Sequence, residues 1–268
     1  MKQQLWNSIS NVRQSAPLVH SITNFVVMNN TANALLAVGA SPIMAHAHKE
    51  MKDMVAISGA LVINIGTLDE YWVESMKIAI EQAETLSKPW ILDPVGAGAT
   101  SYRNEVLKNF ITRYHPSVIR GNASEIMALA QMNVQTKGVD STKQSEEAIV
   151  AAQHLHETTG AVVCISGATD VIVGNGRKMF LSNGHYQMSR VTGMGCTATA
   201  LIGAFCANAT HQIFESTVAA MALMGVAGEI AASQSAGPGS LQMHFLDILS
   251  TLTQDDFNER LNLCEENV

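Results

Sequence analysis

Short apolar runs alternating with longer stretches of helical period restrict this chain to a small set of folds. Leu61-Val62-Ile63-Asn64-Ile65, Trp90-Ile91-Leu92-Asp93, Ser117-Val118-Ile119-Arg120 and Ala161-Val162-Val163-Cys164-Ile165-Ser166 read as buried strands, preceded by Leu18-Val19-His20 and Pro42-Ile43-Met44. Between them, Tyr71 to Ser87 places Trp72, Met76, Ala79, Ile80, Ala83 and Leu86 largely on one helical face, with Glu74, Lys77, Glu81 and Glu84 elsewhere. Gln144 to Glu157 repeats the pattern through Ala148, Ile149, Ala152 and Leu155. Strand, helix and strand in alternation build βαβ units, so the expected architecture is three-layer α/β/α: a mostly parallel central sheet with helices on both faces. Asp170 to Ser182 departs from this. Its two apolar runs flank Gly174-Asn175-Gly176, which predicts a hairpin and an antiparallel edge. From Cys196 onward the pattern reads as almost wholly helical, in stretches 196–209 and 212–233, then a break at Gly237-Pro238-Gly239 and a further helix. With no low-complexity linker, repeat or charge run, residues 1–268 are expected to form a single domain.

Composition narrows the partners. The formal charge is −7 and charged residues make up only 15 %, which argues against a nucleic-acid backbone as the main partner. Apolar residues at 47 % place the chain outside the disordered class. The longest uninterrupted apolar stretch, Val218 to Gly228, ends at Glu229 and is too short to span a bilayer, so no membrane association is expected. The first residues lack the apolar run of a secretory signal. The four cysteines, Cys164, Cys196, Cys206 and Cys264, form no C-x-x-C pair, and free thiols without an export signal indicate the cytoplasm.

In open parallel sheets ligands bind beyond the carboxyl ends of the strands, so the polar residues closing each apolar run are the ones to read. They are Asn64 with Gly66-Thr67, Asp93-Pro94-Val95-Gly96-Ala97-Gly98, Arg120-Gly121-Asn122 and Ser166-Gly167. A carboxylate, a guanidinium and a hydroxyl at one sheet edge suit a metal-bound phosphate ligand. Asp93 either opens a turn before Pro94 or faces that ligand. Arg120 is either snorkelling or ion-paired, or bonds a phosphate. Asn122 and Glu125 have the spacing of a helix N-cap and its reciprocal partner, and a carboxylate there also suits magnesium held through water.

The most informative stretch is Val191-Thr192-Gly193-Met194-Gly195-Cys196-Thr197-Ala198-Thr199-Ala200. Two glycines lead into an alanine-rich helix, so free backbone N–H groups converge on one concavity that stabilises an anion. Phosphoryl transfer, which spreads charge over equatorial oxygens, needs such a device. A dinucleotide fingerprint would place a third glycine where Ala198 stands, and no Gly-Lys-Ser/Thr loop occurs. Cys196 has three readings: a packing residue, a thiol nucleophile of lowered pKa, or the position from which a base takes a hydroxyl proton. His46-Ala47-His48 and His154-Leu155-His156 lack the carboxylate or thiol company of a metal site, and the fourteen methionines read as core filler.

Taken jointly, His20-Ser21-Ile22-Thr23-Asn24-Phe25-Val26-Val27, Ala40-Ser41-Pro42-Ile43-Met44, Leu92 to Gly98, Ile119-Arg120-Gly121-Asn122-Ala123-Ser124-Glu125 and Thr192-Gly193-Met194-Gly195-Cys196 resemble the hydroxyethylthiazole kinase family of the ribokinase-like superfamily, over nearly the whole chain and in the same order. The resemblance implies a ribokinase-like fold and ATP- and Mg²⁺-dependent phosphorylation of the hydroxyl of 4-methyl-5-(2-hydroxyethyl)thiazole, in thiamine salvage. It implies that Arg120 and Ser166 contact ATP. Met44 and Gly193 would contact the thiazole, with Asn24 near it. Asp93 and Glu125 would organise magnesium and the phosphates, and the turn holding Gly193, Gly195 and Cys196 would form the anion hole. It also implies a homotrimer with active sites between subunits, Asn24 and Met44 serving a neighbour's site. The wider superfamily carries aspartate where Cys196 stands, which favours the narrower family and leaves the general base open, because an ordinary thiol (pKa ~8.5) is mostly protonated at neutral pH.

The competing readings are another ribokinase-like small-alcohol kinase, an ATP-dependent dehydratase acting on hydrated NAD(P)H, a cysteine-nucleophile hydrolase or transferase, and a non-catalytic binding protein. Cys196→Asp separates the kinase from the thiol mechanism: a kinase keeps its activity and a covalent mechanism loses it.

Overall fold

The computed structural model describes residues 1–133, 144–209 and 211–267. Nine strands among them form one sheet. Six run parallel: β1 (Leu18–Ile22), β2 (Ser41–Ile43), β3 (Ala60–Asn64), β4 (Trp90–Asp93), β5 (Val118–Asn122) and β6 (Val162–Ser166), in the order β2-β1-β3-β4-β5-β6. The expected hairpin is present as β7 (Asp170–Gly174) and β8 (Arg177–Leu181), which extend the sheet antiparallel to β6.

Helices cover both faces, as the alternation predicted. On one face lie α1 (Lys2–Ser15), α2 (Met28–Val38), α8 (Met194–Cys206), α9 (Ile213–Ser233) and α10 (Pro238–Thr251), enclosing a core that includes Leu35, Val62, Leu201 and Phe245. On the other lie α3 (Met51–Ile57), α4 (Glu70–Thr85), α5 (Ser101–Arg113), α6 (Ala123–Asn133) and α7 (Gln144–Thr159), enclosing Leu61, Trp72, Leu92 and Phe110. Alternate residues of one strand enter opposite cores, Leu61 to one and Val62 to the other, because a pleated strand turns successive side chains to opposite faces. With both faces covered, the parallel strands read as unbroken apolar runs, which is what made them legible.

The almost wholly helical reading of the C-terminal third needs correction. After α11 (Gln254–Arg260) the chain returns as β9 (Leu263–Asn267), antiparallel to β8. Arg177 meets Glu265 at 3.3 Å and Lys178 meets Glu266 at 3.8 Å across the two strands. The charges that hide this strand from an apolar-run search are the ones that pair it to its neighbour.

The α9 helix is long and apolar enough to cross a membrane by composition, with a mean hydropathy of 1.4, yet 83 % of that window is buried inside the fold. It is a core helix.

Candidate active site

The strand register sets up the site. Asn64 lies opposite Asp93 on β3 and β4, and Asn122 opposite Ser166 on β5 and β6, so the polar ends of four strands align on one edge. The start of α8 lands on that edge.

Asp93 is only 1 % exposed. Its Oδ2 accepts from Asn64 Nδ2 at 2.7 Å and from Thr199 Oγ1 at 2.9 Å. Burial pushes its carboxyl up to about 6, against the pull of the Arg120 guanidinium and the Thr199 hydroxyl; Glu125 adds to the push. A carboxylate tied to two donors inside the protein is no simple turn residue.

Arg120, at the end of β5, donates from Nη2 to Ser166 Oγ at 2.6 Å, while its Nε is buried without a partner among the described residues. Among the described residues it makes no ion pair within 4.0 Å, so the ion-paired reading is not what the fold shows. A Cβ at Gly195 would sit 2.7 Å from Arg120 Nη1; glycine there lets the guanidinium rest against the first turn of α8.

That first turn is open. Gly193 is the N-cap, with φ of 86°, a left-handed conformation that favours glycine, and no side chain among the described residues caps the helix. The amides of Met194, Gly195 and Cys196 therefore form an uncapped, positively polarised helix end. Glu125 shows the contrasting arrangement. Its Oε2 accepts from Asn122 N at 2.9 Å while Asn122 Oδ1 accepts from Glu125 N at 3.0 Å, which is the reciprocal cap read from the sequence. Its Oε1 accepts from Gly96 N at 2.9 Å and so ties the β4 loop to α6.

Cys196 is half-buried, and burial followed by the nearby Asp93 charge pushes its thiol up to about 11. It is protonated at neutral pH, so the lowered-pKa nucleophile lacks its premise. Asn24, in the loop after β1, donates from Nδ2 to its own chain's Cys196 Sγ at 3.4 Å. β1 lies beside β3, so its loop falls against α8 of the same chain. Met44 follows edge strand β2 and packs half-buried against the α8-side core. Phe25 and Val26, next to Asn24, are 58 % and 62 % exposed.

A cavity of about 510 Å³ opens at the same edge, reached by Arg120, Ser166 and Gly195 and walled by Met188, Met194, Met221 and Met224. Met194, Met221 and Met224 belong to the buried core, as the core-filler reading expects, and with Met188 packed against it they also line a cavity that a flat apolar group would fill. Across the sheet, at the amino ends of the strands, a second depression of about 360 Å³ is lined by Lys88, Trp90 and His115. Its Lys88 ammonium is already committed to the carbonyls of Val55, Ala56 and Ser58.

The H-x-H pairs do not converge. His46 tilts against Trp72 at 4.8 Å and His48 stacks on Tyr71 at 3.9 Å, while His156 Nδ1 meets Ala161 O at 2.7 Å. Among the described residues no group of three or more His, Cys, Asp or Glu side chains is placed to hold a metal. Two residues central to the site were under-read: Asn64 stood among the polar strand ends without an assigned role, and Thr199 had none. Asn64's position opposite Asp93 and Thr199's place one turn beyond Cys196 were the available signals.

The layered fold with ligand-facing strand ends matches that of a ribokinase-like superfamily protein from Enterococcus faecalis, at a TM-score of 0.67 and 15 % identity over 96 % of this chain and 95 % of that one. The fold is thus ribokinase-like. The chain belongs to the hydroxyethylthiazole kinase family, whose model matches residues 9–255. It is 51 % identical over 263 residues to a hydroxyethylthiazole kinase of Syntrophus aciditrophicus, covering 97 % of each chain. It is 39 % identical, with a TM-score of 0.92 and full coverage of both chains, to the solved structure of the hydroxyethylthiazole kinase protein from Pyrococcus horikoshii.

Proposed function

We propose that residues 1–268 form one kinase domain that transfers the γ-phosphoryl of ATP to the hydroxyl of 4-methyl-5-(2-hydroxyethyl)thiazole, in thiamine biosynthesis or salvage. The observation that carries this reading is the uncapped start of α8 beside Arg120 at the mouth of the 510 Å³ cavity. Family membership supplies the acceptor.

In this reading the nucleotide lies in the methionine-walled cavity, with Arg120 and Ser166 on its phosphates. Arg120 suits the task because its Nε has no partner to give up among the described residues. The amides of Gly195 and Cys196 hold the equatorial oxygens of the transferring group, where negative charge is spread in the transition state. The alcohol sits beside Asn24, Gly193 and Met44. The bond between the alcohol oxygen and the γ-phosphorus forms as the bond to the β–γ bridging oxygen breaks and ADP leaves; the hydroxyl proton passes, once the new bond is forming, to an oxygen of the transferred phosphoryl group and from there to water. The thiol at 196, protonated at neutral pH, serves as a polar neighbour to the alcohol. A loose transition state asks little activation of the attacking oxygen, so positioning and charge stabilisation supply most of the rate.

Asp93 and Glu125 fit magnesium by the chemistry of their donors. They are hard oxygens close enough to interact electrostatically, and Mg²⁺ characteristically takes only one or two carboxylates together with phosphates and water. When bound, the ion would neutralise charge on the phosphates.

We further place the protein in the cytoplasm, in keeping with its four free cysteines, and as a homotrimer whose contacts cover exposed Phe25 and Val26. Light scattering on the purified protein checks the assembly. The activity is tested by incubating the protein with Mg-ATP and the thiazole alcohol and following both products by mass spectrometry. Equal amounts of ADP and thiazole phosphate are expected; ADP without phosphorylated thiazole, or neither product, overturns the assignment.

A further inference from the structure

Three buried side chains beside the α8 start form a line in which each hydrogen bond fixes the direction of the next. Gly66 N donates to Asn64 Oδ1 at 2.9 Å. A backbone amide cannot accept, so this bond alone settles which end of the Asn64 amide is oxygen. The opposite end, Nδ2, then meets Asp93 Oδ2 at 2.7 Å, in keeping with an acceptor carboxylate oxygen that also receives the Thr199 hydroxyl. With Asn64 fixed from both sides, its Oδ1 also receives Asn24 Nδ2 at 3.0 Å. The same Asn24 nitrogen reaches Cys196 Sγ at 3.4 Å. Both donor contacts of Asn24 are thus spoken for, while its Oδ1 accepts no hydrogen bond among the described residues.

Packing reinforces the arrangement. Asn64 is 2 % exposed and Asn24 5 %. A Cβ on Gly66 would lie 2.6 Å from Asn24 Nδ2 and 2.8 Å from its Cγ, so the Asn24 amide lies flat on that glycine and has little room to turn over. Flipping Asn24 would set its oxygen against Asn64 Oδ1, two acceptors facing each other in a buried place.

We infer that Asn64 is a positioning residue: anchored on Asp93 and the Gly66 amide, it holds Asn24 so that Asn24 presents a carbonyl oxygen to the acceptor alcohol. The hydroxyl hydrogen then points at Asn24 Oδ1, which leaves an oxygen lone pair for the phosphorus. Asn64 itself touches neither the nucleotide nor the alcohol. This inference rests on the kinase reading and adds to it the element that orients the alcohol.

The test is a double-mutant cycle on the full chain, with KM for the thiazole alcohol and KM for ATP measured for the unsubstituted protein, Asn24→Ala, Asn64→Ala and the double variant. Asn64→Ala is expected to raise the alcohol KM about tenfold and leave the ATP KM within about twofold. Added to Asn24→Ala it should change the alcohol KM by less than about twofold, because the residue it positions is gone. Asn64→Ser keeps a hydroxyl against Gly66 N and carries the same test if the alanine variant fails to fold. A full tenfold loss repeated in the Asn24→Ala background, or an effect confined to ATP, overturns the inference and leaves the kinase reading standing. No thiazole turnover by the unsubstituted chain overturns both.

Discussion

Two helices, α6 and α8, begin on the same edge of the sheet, and they begin differently. The start of α6 is closed by its own residues, Asn122 and Glu125 each taking the other's backbone N–H, so that helix end is satisfied before any ligand arrives. The start of α8 has a left-handed glycine, no side-chain cap and an arginine lying against its second residue. A protein that caps one helix end and leaves its neighbour bare has spent its local stabilisation on the first and kept the second for an anion. Sequence separates them too: Asn-x-x-Glu at one, Gly-x-Gly at the other.

The sharpest way to break this contrast is to fill the open end. Gly195→Val drives a side chain into Arg120 and the ligand's place. Turnover at saturating substrates is expected to fall by about a thousandfold while the circular dichroism spectrum is unchanged. A fall below about fivefold would mean the α8 start carries no such duty.

The next effect concerns stability. The Asp93 carboxyl has an ordinary value of 3.8 and stands at about 6 in the folded chain. The folded state therefore holds this proton more tightly than the unfolded one. Stability from this group is complete below about pH 4 and is lost as pH rises through about 6, amounting to about 3 kcal/mol. Asp93→Asn removes the charge and is expected to unfold at higher urea than the parent at pH 8, to match it at pH 4, and to lose turnover. Equal stability at pH 8 would show that the buried carboxylate carries no such penalty.

Breaking the closed end should do less. Asn122→Ala removes one cap and is expected to cost about 1 kcal/mol in urea unfolding, with turnover changed by less than about threefold. A hundredfold loss of turnover with stability intact would move the anion-holding duty from α8 to α6. The smallest change is expected from Cys196→Asp, which keeps or raises ATP-dependent phosphorylation because a carboxylate accepts both the Asn24 amide and a proton. Loss of all turnover would restore the thiol as the reacting group.

The legibility of the chain follows from the same physics. Strands buried on both faces appeared as unbroken apolar runs, and their polar ends marked where Asp93, Arg120 and Ser166 would meet. β9 was hidden because it is an edge strand held by Arg177 and Lys178 against Glu265 and Glu266, charges that break the apolar pattern. Asn64 and Thr199 lacked a role because theirs comes from contacts across strands and between layers, which one sequence does not display. Asn24 was seen, but its placement in its own chain's site depends on β1 lying beside β3.

The central claim is that the bare α8 amides, and not the capped α6 ones, hold the transferring phosphoryl group. Amide ¹H–¹⁵N spectra of the protein titrated with Mg²⁺ and a non-hydrolysable ATP analogue, in the presence of the thiazole alcohol, test it most directly. The account predicts large downfield proton shifts at Gly195 and Cys196 and small ones at Ser124 and Glu125. Shifts concentrated at Ser124 and Glu125, with Gly195 and Cys196 unmoved, would contradict it.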